Sequence, residues 1–189
     1  EFKQTKNILS PYDKRVVSKV AICDKVDANT ILDIAKKASL VAKNIPLHQR
    51  INWLLDVAQK LELSREEMAQ TITDEVGKPI FFARIEVDRC IETIKLSANA
   101  ILHVNGETID TTATPSGKKS LAFYKREPVG VVLAITPFNF PLNLVAHKIA
   151  PALVAGNAVI LKPTSQAPLT AFKFAKMFIE SSFATPDAL

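Results

Sequence analysis

The sequence predicts an α/β protein in which a helical amino-terminal part, residues 1–106, leads into the start of a parallel sheet in residues 127–189. Three observations support this fold class. Before residue 106, apolar residues recur at helical spacing in four stretches. A polar, strand-like segment, residues 107–126, follows. Beyond it, two apolar runs each precede a helical pattern, and this alternation predicts a parallel sheet with right-handed crossovers.

The first elements are predicted to be strands and two helices. Residues 8–24 alternate loosely between polar and apolar side chains, which predicts edge strands. Asp27 is a candidate N-cap for the first helix, and Pro46 ends it. The apolar face of that helix carries Ile31, Ile34, Ala35, Ala38, Val41 and Ala42. A second amphipathic helix spans residues 51–61.

Two more helices precede the polar segment. Ser64, followed three residues later by Glu67, predicts a capping box in which each side chain satisfies the other's backbone N–H. Gly77 can adopt the left-handed conformation that ends this third helix. Pro79 opens a fourth, long helix that runs to Gly106.

The second half alternates strands and helices. Residues 108–126 are rich in Thr, Ser, Lys and Gly and predict an extended excursion or a hairpin. The parallel unit consists of a buried strand at 130–135, a helix at about 142–155, a buried strand at 158–161 and a helix that Pro168 opens. Residues 184–189 are turn-like, which is typical of a connection between two elements of a larger domain.

Composition excludes several classes of function. The chain has 24 Lys and Arg against 19 Asp and Glu, and because its lysines are scattered we expect no nucleic-acid binding. The most apolar segment, residues 129–155, is interrupted by prolines and polar residues, so no membrane span is predicted. Two cysteines, Cys23 and Cys90, are too few for a disulfide framework. We interpret both as ordinary buried thiols, expect a cytoplasmic protein and predict no metal site.

A proline-bracketed turn follows the first strand of the parallel unit. In the run Thr136-Pro137-Phe138-Asn139-Phe140-Pro141, two prolines hold the backbone. Such a rigid turn can aim the Asn139 amide as a donor to an oxyanion. The same asparagine would equally serve as an Asx-turn or N-cap residue for the next helix. The spacing alone leaves both interpretations open.

A lysine follows the second strand, in the run Leu161-Lys162-Pro163-Thr164-Ser165. Ligands of open α/β sheets gather outside the carboxyl ends of the strands, so Lys162 is placed to bind ribose hydroxyls or a phosphate. A surface lysine whose stem packs on the protein is the alternative. The glycine-rich dinucleotide fingerprint G-x-G-x-x-G does not occur.

These motifs, taken together, resemble the aldehyde dehydrogenase superfamily over nearly the whole chain. The resemblance rests on Arg126-Glu127-Pro128-Val129-Gly130, the 135–141 turn, Lys148-Ile149-Ala150-Pro151, Leu161-Lys162-Pro163 and, upstream, Glu75-Val76-Gly77-Lys78-Pro79 with Glu86-Val87. It implies the amino-terminal, incomplete part of a Rossmann-like NAD(P)-binding fold. The turn most resembles the branch that contains lactaldehyde and non-phosphorylating glyceraldehyde-3-phosphate dehydrogenases.

The resemblance also implies roles for individual residues. The Asn139 amide would stabilise the oxyanion of a thiohemiacetal, and Lys162 would bind the adenosine ribose. The backbone of Ile135, Thr136, Pro137 and Phe138 would lie along the cofactor. Residues 108–124 would be an oligomerisation excursion, which implies a homo-dimer or homo-tetramer.

Position 165 bears on the choice of cofactor. Family members that prefer NAD often carry a glutamate there, whose carboxylate accepts a hydrogen bond from the 2′-hydroxyl of ribose and repels a 2′-phosphate. Ser165 removes that repulsion, and Lys162 can help to neutralise the phosphate. We therefore expect NADP or NAD as cofactor, with NADP favoured.

The expected activity is oxidation of a small, polar or anionic aldehyde to a carboxylic acid. The family's nucleophilic cysteine and general-base glutamate lie further along than residue 189, and neither Cys23 nor Cys90 matches the nucleophile. This chain by itself is therefore expected to be inactive. Candidate substrate-pocket residues are Phe140, Asn143, Leu144 and His147, for which helix packing is the alternative. A non-catalytic dinucleotide-binding or oligomerisation module is the alternative function.

Overall fold

A computed structural model describes residues 4–185 and 188–189, so Pro186 and Asp187 of the expected turn lie outside the described residues. The chain opens with a hairpin of β1 (Thr5–Leu9) and β2 (Val16–Ala21). The two strands are antiparallel, with Thr5 opposite Ala21. The predicted strands near residues 8–24 are therefore confirmed, although the first begins earlier.

Four helices follow: α1 (Lys25–Ala42), α2 (Leu47–Leu63), α3 (Arg65–Val76) and α4 (Ile80–Ala100). Gly77 adopts the left-handed conformation, with φ of 68°, and ends α3 as predicted. Pro46 precedes α2, which begins four residues earlier than the apolar spacing indicated.

Two predicted caps are wrong in detail. Asp24, not Asp27, is the N-cap of α1; its carboxylate accepts the N–H groups of Val26 and Asp27, and the Asp27 carboxylate accepts the Asp24 N–H. Ser64 forms no capping box, because α2 runs directly into α3 and the Ser64 hydroxyl donates back to the Lys60 carbonyl at 2.8 Å.

The end of α4 also differs from the prediction. The α-helix stops at Ala100 and continues as one 3₁₀ turn, Ile101–His103, so it does not reach Gly106. Gly106 instead starts the next hairpin, where a Cβ atom would lie 1.7 Å from the Tyr124 carbonyl oxygen. The position therefore requires glycine for the close approach of two strands.

That hairpin consists of β3 (Glu107–Asp110) and β4 (Leu121–Tyr124), which pair antiparallel as predicted. It carries exposed apolar side chains on both strands: Ile109, Leu121 and Phe123. The parallel unit follows, with β5 (Val131–Ile135), α5 (Asn143–Val154), β6 (Ala158–Lys162) and α6 (Pro168–Ile179). The strands β5 and β6 are parallel, as predicted.

The expectation that β5 is fully buried is wrong. Its Ala134 joins the main core, whereas Leu133 and Ile135, on the opposite face of the strand, are exposed. Strand residues alternate between faces, so the two faces of β5 have different surroundings. Among the helices, α5 and α1 both contact this strand. The buried residues of α1 are the small side chains Ala35, Ala38 and Ala42, while its predicted apolar positions Ile31, Ile34 and Val41 are exposed.

The main core lies between α2, α3, α4, α5 and α6 on the inner face of the parallel strands. Its largest fully buried side chains include Phe174, Phe178, Leu54, Leu61 and Met68. Among the described residues, none of the helices combines the length and the apolar character that crossing a bilayer requires.

Candidate functional site

The two candidate motifs follow neighbouring parallel strands. Ile135, the last residue of β5, lies opposite Lys162, the last residue of β6. One residue further on, the Thr136 N–H donates to the Lys162 carbonyl at 3.3 Å. The turn that contains Asn139 and the segment that follows Lys162 therefore leave the sheet at the same edge.

An open groove of about 460 Å³ lies at this edge. It is lined by Phe138 from the first motif and by Ser165 and Gln166 from the second. The other walls are Glu75 and Val76 at the end of α3, residues 6–9 of β1, and Pro11. The fold thus brings Phe138 and Ser165, two predicted cofactor residues, to one concave surface.

This edge carries exposed polar side chains and one buried hydroxyl. Lys162 and Ser165 are exposed and accessible to a ligand. Thr136 is buried, and its hydroxyl has no hydrogen-bond partner among residues 4–185 and 188–189. A buried polar atom normally has a partner, which makes this hydroxyl a candidate for a hydrogen bond with a ligand bound at this edge.

Lys78 holds the turn that contains Asn139. It lies between α3 and α4, and its ammonium donates to the Asn139 backbone carbonyl at 2.9 Å. The same ammonium is paired with the Glu86 carboxylate and lies 4.1 Å from the centre of the Phe140 ring. The Asn139 side chain itself is exposed.

Glu86 caps the helix that follows the turn. It is 1% exposed, and its Oε1 atom accepts the Leu142 N–H at 2.9 Å and the Asn143 N–H at 3.2 Å. A carboxylate at a helix N-terminus satisfies backbone donors that have no partner within the helix. Glu86 therefore fixes the start of α5.

Glu75 caps α6 in the same way. Its carboxylate accepts the Leu169 N–H and the Thr170 N–H, each at 2.7 Å, and also the Thr170 hydroxyl at 2.7 Å. Burial raises the pKa of Glu75 above its usual value, although the hydrogen bonds from Thr170 and Leu169 oppose the rise. Both caps thus join a helix of the first half to a helix of the parallel unit.

Lys78, Glu75 and Glu86 were not predicted to be site residues, although the sequence contains a signal for Glu86. Glu86 falls on the apolar stripe of α4 with Ala83, Val87 and Cys90, at the i, i+3, i+4, i+7 spacing of one face. A single carboxylate on such a stripe is buried on folding and needs a partner.

Replacing Glu75 with Gln is expected to weaken the pH dependence of stability. Because the folded pKa is raised, the folded state binds this proton more tightly than the unfolded state does. The free energy of unfolding therefore falls as pH rises from about 4.5 through the raised pKa. Glu75→Gln removes this loss, which thermal unfolding across that pH range would measure.

Glu67→Gln on the same helix is the control. The Lys173 ammonium lowers the pKa of the exposed Glu67 carboxyl, so its stabilising contribution is present above about pH 4.5 and is lost as pH falls. The two substitutions should therefore change the pH dependence of the free energy of unfolding in opposite directions. If the free energy of unfolding of Glu75→Gln depends on pH as it does in the unsubstituted protein, the raised pKa of the Glu75 cap is contradicted.

The predicted substrate-pocket residues differ in their burial. Asn143 is buried, and its Oδ1 atom accepts the Thr93 hydroxyl at 2.9 Å, so its side chain joins α5 to α4. Leu144 is half-buried, whereas Phe140 and His147 are exposed. The pocket role of these residues stays a prediction.

The two cysteines differ from each other. Cys90 is buried as expected, and burial together with the nearby Glu86 carboxylate raises the pKa of its thiol well above the usual value. Cys23 is exposed, which corrects the expectation of a buried thiol, because it lies in the surface connection between β2 and α1. In residues 4–185 and 188–189, no three His, Cys, Asp or Glu side chains cluster to hold a metal ion.

The model of the aldehyde dehydrogenase family matches residues 1–186. The chain belongs to the aldehyde dehydrogenase family. This aldehyde dehydrogenase chain is 41% identical over 175 residues to a lactaldehyde dehydrogenase of Methanocaldococcus jannaschii, a match that covers 93% of this chain and 36% of that protein. The resemblance in the sequence motifs, including the branch, is thereby confirmed.

Solved aldehyde dehydrogenase structures share the fold. The glyceraldehyde-3-phosphate dehydrogenase GapN of M. jannaschii, complexed with NADP, superposes with a TM-score of 0.91 at 37% identity, over 99% of this chain and 40% of that one. The NADP-dependent glyceraldehyde-3-phosphate dehydrogenase of Bacillus halodurans, also complexed with NADP, gives 0.94 at 35% identity, over 98% and 39%. The predicted fold class, a portion of the aldehyde dehydrogenase fold, is confirmed.

Proposed function

We propose that the complete protein carrying this aldehyde dehydrogenase chain oxidises a small aldehyde, polar or anionic, to the carboxylic acid with NADP⁺ or NAD⁺. The chain spans 36% of the lactaldehyde dehydrogenase that it matches, so the activity of the complete protein is an inference. The observation that carries it is the pairing of Ile135 with Lys162, which places the Asn139 turn and the Lys162 segment at one sheet edge.

Each residue at that edge has a role in the proposed reaction. The Asn139 amide donates to the oxygen of the aldehyde as it gains negative charge, when a cysteine thiolate attacks the carbonyl. The bound cofactor supplies the hydride acceptor. Lys162 would bind the adenosine ribose, and the backbone of residues 135–138 would help to hold the cofactor. In the family pattern, the cysteine and the general-base glutamate belong to positions beyond residue 189.

The names of the relatives support a small, polar or anionic aldehyde as substrate. The curated relative is a lactaldehyde dehydrogenase, and the two similar structures are glyceraldehyde-3-phosphate dehydrogenases. Lactaldehyde is small and polar, and glyceraldehyde 3-phosphate is small and anionic. The test is to assay the complete protein with a panel of short aldehydes, including these two, and with each cofactor in turn.

Turnover of at least one polar or anionic aldehyde in preference to its apolar analogue is the expected result. NADP binding without turnover of any aldehyde would instead support the non-catalytic dinucleotide-binding alternative. If the complete protein neither turns over an aldehyde nor binds NADP, the proposal is refuted.

The exposed apolar residues of the β3–β4 hairpin support oligomerisation. An exposed strand edge with apolar side chains is prone to pair with another chain. We propose that this hairpin pairs with a neighbouring subunit, in a homo-dimer or homo-tetramer of a cytoplasmic enzyme.

Ser165 supports NADP as the preferred cofactor, and Ser165→Glu is expected to reverse the preference. A carboxylate in the groove would repel the 2′-phosphate of NADP and accept the 2′-hydroxyl of NAD. We expect kcat/KM for NADP to fall about tenfold or more, since like charges brought together in a binding site are unfavourable by several kcal/mol before solvent screening. Initial rates with each cofactor measure the change.

Ser165→Gln is the matched control, because it adds similar bulk without charge. It should reduce kcat/KM for both cofactors by similar factors. If Ser165→Gln and Ser165→Glu lower kcat/KM for NADP equally, charge repulsion does not cause the loss. If the unsubstituted protein strongly prefers NAD, the NADP proposal is wrong.

A further inference from the structure

We propose that Lys78 and Glu86 form a positioning pair that fixes the Asn139 amide for catalysis. The inference rests on the proposed function, in which that amide stabilises the oxyanion. It concerns two residues that do not touch the reacting atoms and act only through the turn between β5 and α5.

Lys78 holds one end of the turn. Its ammonium contacts the Asn139 carbonyl oxygen at 2.9 Å, the Glu86 carboxylate, and the face of the Phe140 ring at 4.1 Å from its centre. The Lys78 side chain is 15% exposed and the Glu86 side chain 0%, so their ion pair forms largely away from water, whereas Asn139 lies at the surface. A hydrogen bond from a charged donor is stronger than one between neutral groups. Lys78 therefore restrains the backbone of the residue whose amide is proposed to act.

Glu86 holds the other end of the turn. Its Oε1 atom accepts the N–H groups of Leu142 and Asn143, which follow Pro141 at the start of α5. Its Oε2 atom accepts the Lys78 ammonium. One carboxylate–ammonium pair is thus bonded to the backbone on both sides of Phe140 and Pro141. The two prolines restrict rotation within the turn, and the pair fixes its position relative to α4.

Position matters because an oxyanion donor must meet its target closely. A catalytic group that is displaced by about 1 Å can lose on the order of 10²-fold in rate. The Asn139 side chain is exposed, so the backbone restraint described above is what locates its Cα atom. Loss of the pair should therefore lower kcat even in a folded protein.

A purely structural role for the pair makes a different prediction. If Lys78 and Glu86 only stabilise α5, their loss lowers stability but leaves the kcat of the folded protein unchanged. Arg50 provides the matched control, since it holds the other end of α5: its guanidinium donates to the Val154 carbonyl at 2.7 Å and to the Ile45 carbonyl at 3.1 Å. Replacing Arg50 with Met removes a cation-to-carbonyl contact at the end of the same helix that lies away from the turn.

The experiment compares Lys78→Met, Arg50→Met and Asn139→Ala in the complete protein. We expect Lys78→Met to lower kcat about 10- to 100-fold, with KM for NADP nearly unchanged because Lys162 and Ser165 are untouched. We expect Arg50→Met to lower the melting temperature without lowering kcat. In the double variant, Lys78→Met should have little further effect on the Asn139→Ala background, because both act through one amide.

Glu86→Gln is the second variant if Lys78→Met does not fold. It keeps an acceptor for the two N–H groups of α5 but loses the charge that pairs with Lys78. We expect it to lower kcat in the same range. A folded Lys78→Met or Glu86→Gln with unchanged kcat would overturn the positioning role.

The outcomes separate this inference from the function on which it rests. If Asn139→Ala leaves kcat unchanged, the oxyanion role fails and the positioning role fails with it. If Asn139→Ala lowers kcat but the Lys78 and Glu86 variants do not, only the positioning role fails. If the losses in kcat caused by Lys78→Met and Asn139→Ala are additive, Lys78 does not act through the Asn139 amide. That result would also overturn the positioning role.

Discussion

Replacing Asn139 with Ala in the complete protein is expected to lower kcat by about 10²–10³-fold, the usual effect of losing one oxyanion donor. The asparagine lies in the turn that Lys78 holds through the Asn139 backbone carbonyl, so truncation of its side chain leaves that hydrogen bond in place. KM for NADP should change little, because the cofactor contacts proposed for Lys162 and Ser165 remain. Initial rates at saturating aldehyde and cofactor would measure kcat directly.

Two further substitutions make the Asn139 test specific. Asn139→Asp has nearly the same shape but lacks the N–H donors and adds negative charge near the oxyanion, so it should be at least as damaging. Asn44→Ala removes an exposed asparagine whose amide donates to the Leu40 carbonyl, outside the site, and should leave kcat unchanged. An active Asn139→Asp variant would show that the amide does not act as a donor.

The second large effect is expected for Phe178→Ala, which should reduce the free energy of unfolding by about 3–5 kcal/mol. Phe178 is fully buried on α6, where its ring makes edge-to-face contacts with Trp53, at 6.0 Å between ring centres, and with Phe174, at 5.2 Å. Its backbone carbonyl accepts the Trp53 indole N–H at 2.9 Å. Truncation would leave a cavity between α2 and α6 and remove both aromatic contacts.

Phe172→Ala is the matched control for this prediction, since Phe172 lies on the same helix and is 47% exposed. Its loss should reduce stability by less than about 1 kcal/mol, because little of the side chain leaves a packed environment. Urea-induced unfolding of the complete protein, followed by circular dichroism, would compare the three proteins. A similar loss for both variants would contradict the assignment of Phe178 to the core between α2 and α6.

Much of the fold follows from local rules that can be read along the chain. Gly77 ends α3 because a left-handed residue stops a helix, and Pro168 opens α6 because its fixed φ suits the first turn. The alternation of apolar strands and helices after residue 127 requires a parallel pair. The two ligand motifs could be found in the same way, because each follows a strand and parallel strands end at one edge.

Other features could not be predicted because their partners are distant in sequence. Leu142 is 56 residues from Glu86, and Thr170 is 95 residues from Glu75, so only folding shows which helix each carboxylate caps. The exposure of Leu133 likewise depends on what packs against the outer face of β5.

The sequence alone therefore determined the family, the order of elements and the edge at which the candidate site forms, because all three depend on short, contiguous patterns. The tertiary structure decided how the Asn139 turn is held. The Lys78 ammonium and the Glu86 carboxylate reach its two ends only after α4 packs against α5. Burial of the Glu86 carboxylate then strengthens its bonds to the ammonium and to the start of α5, since a hydrogen bond is stronger in the low dielectric of the interior.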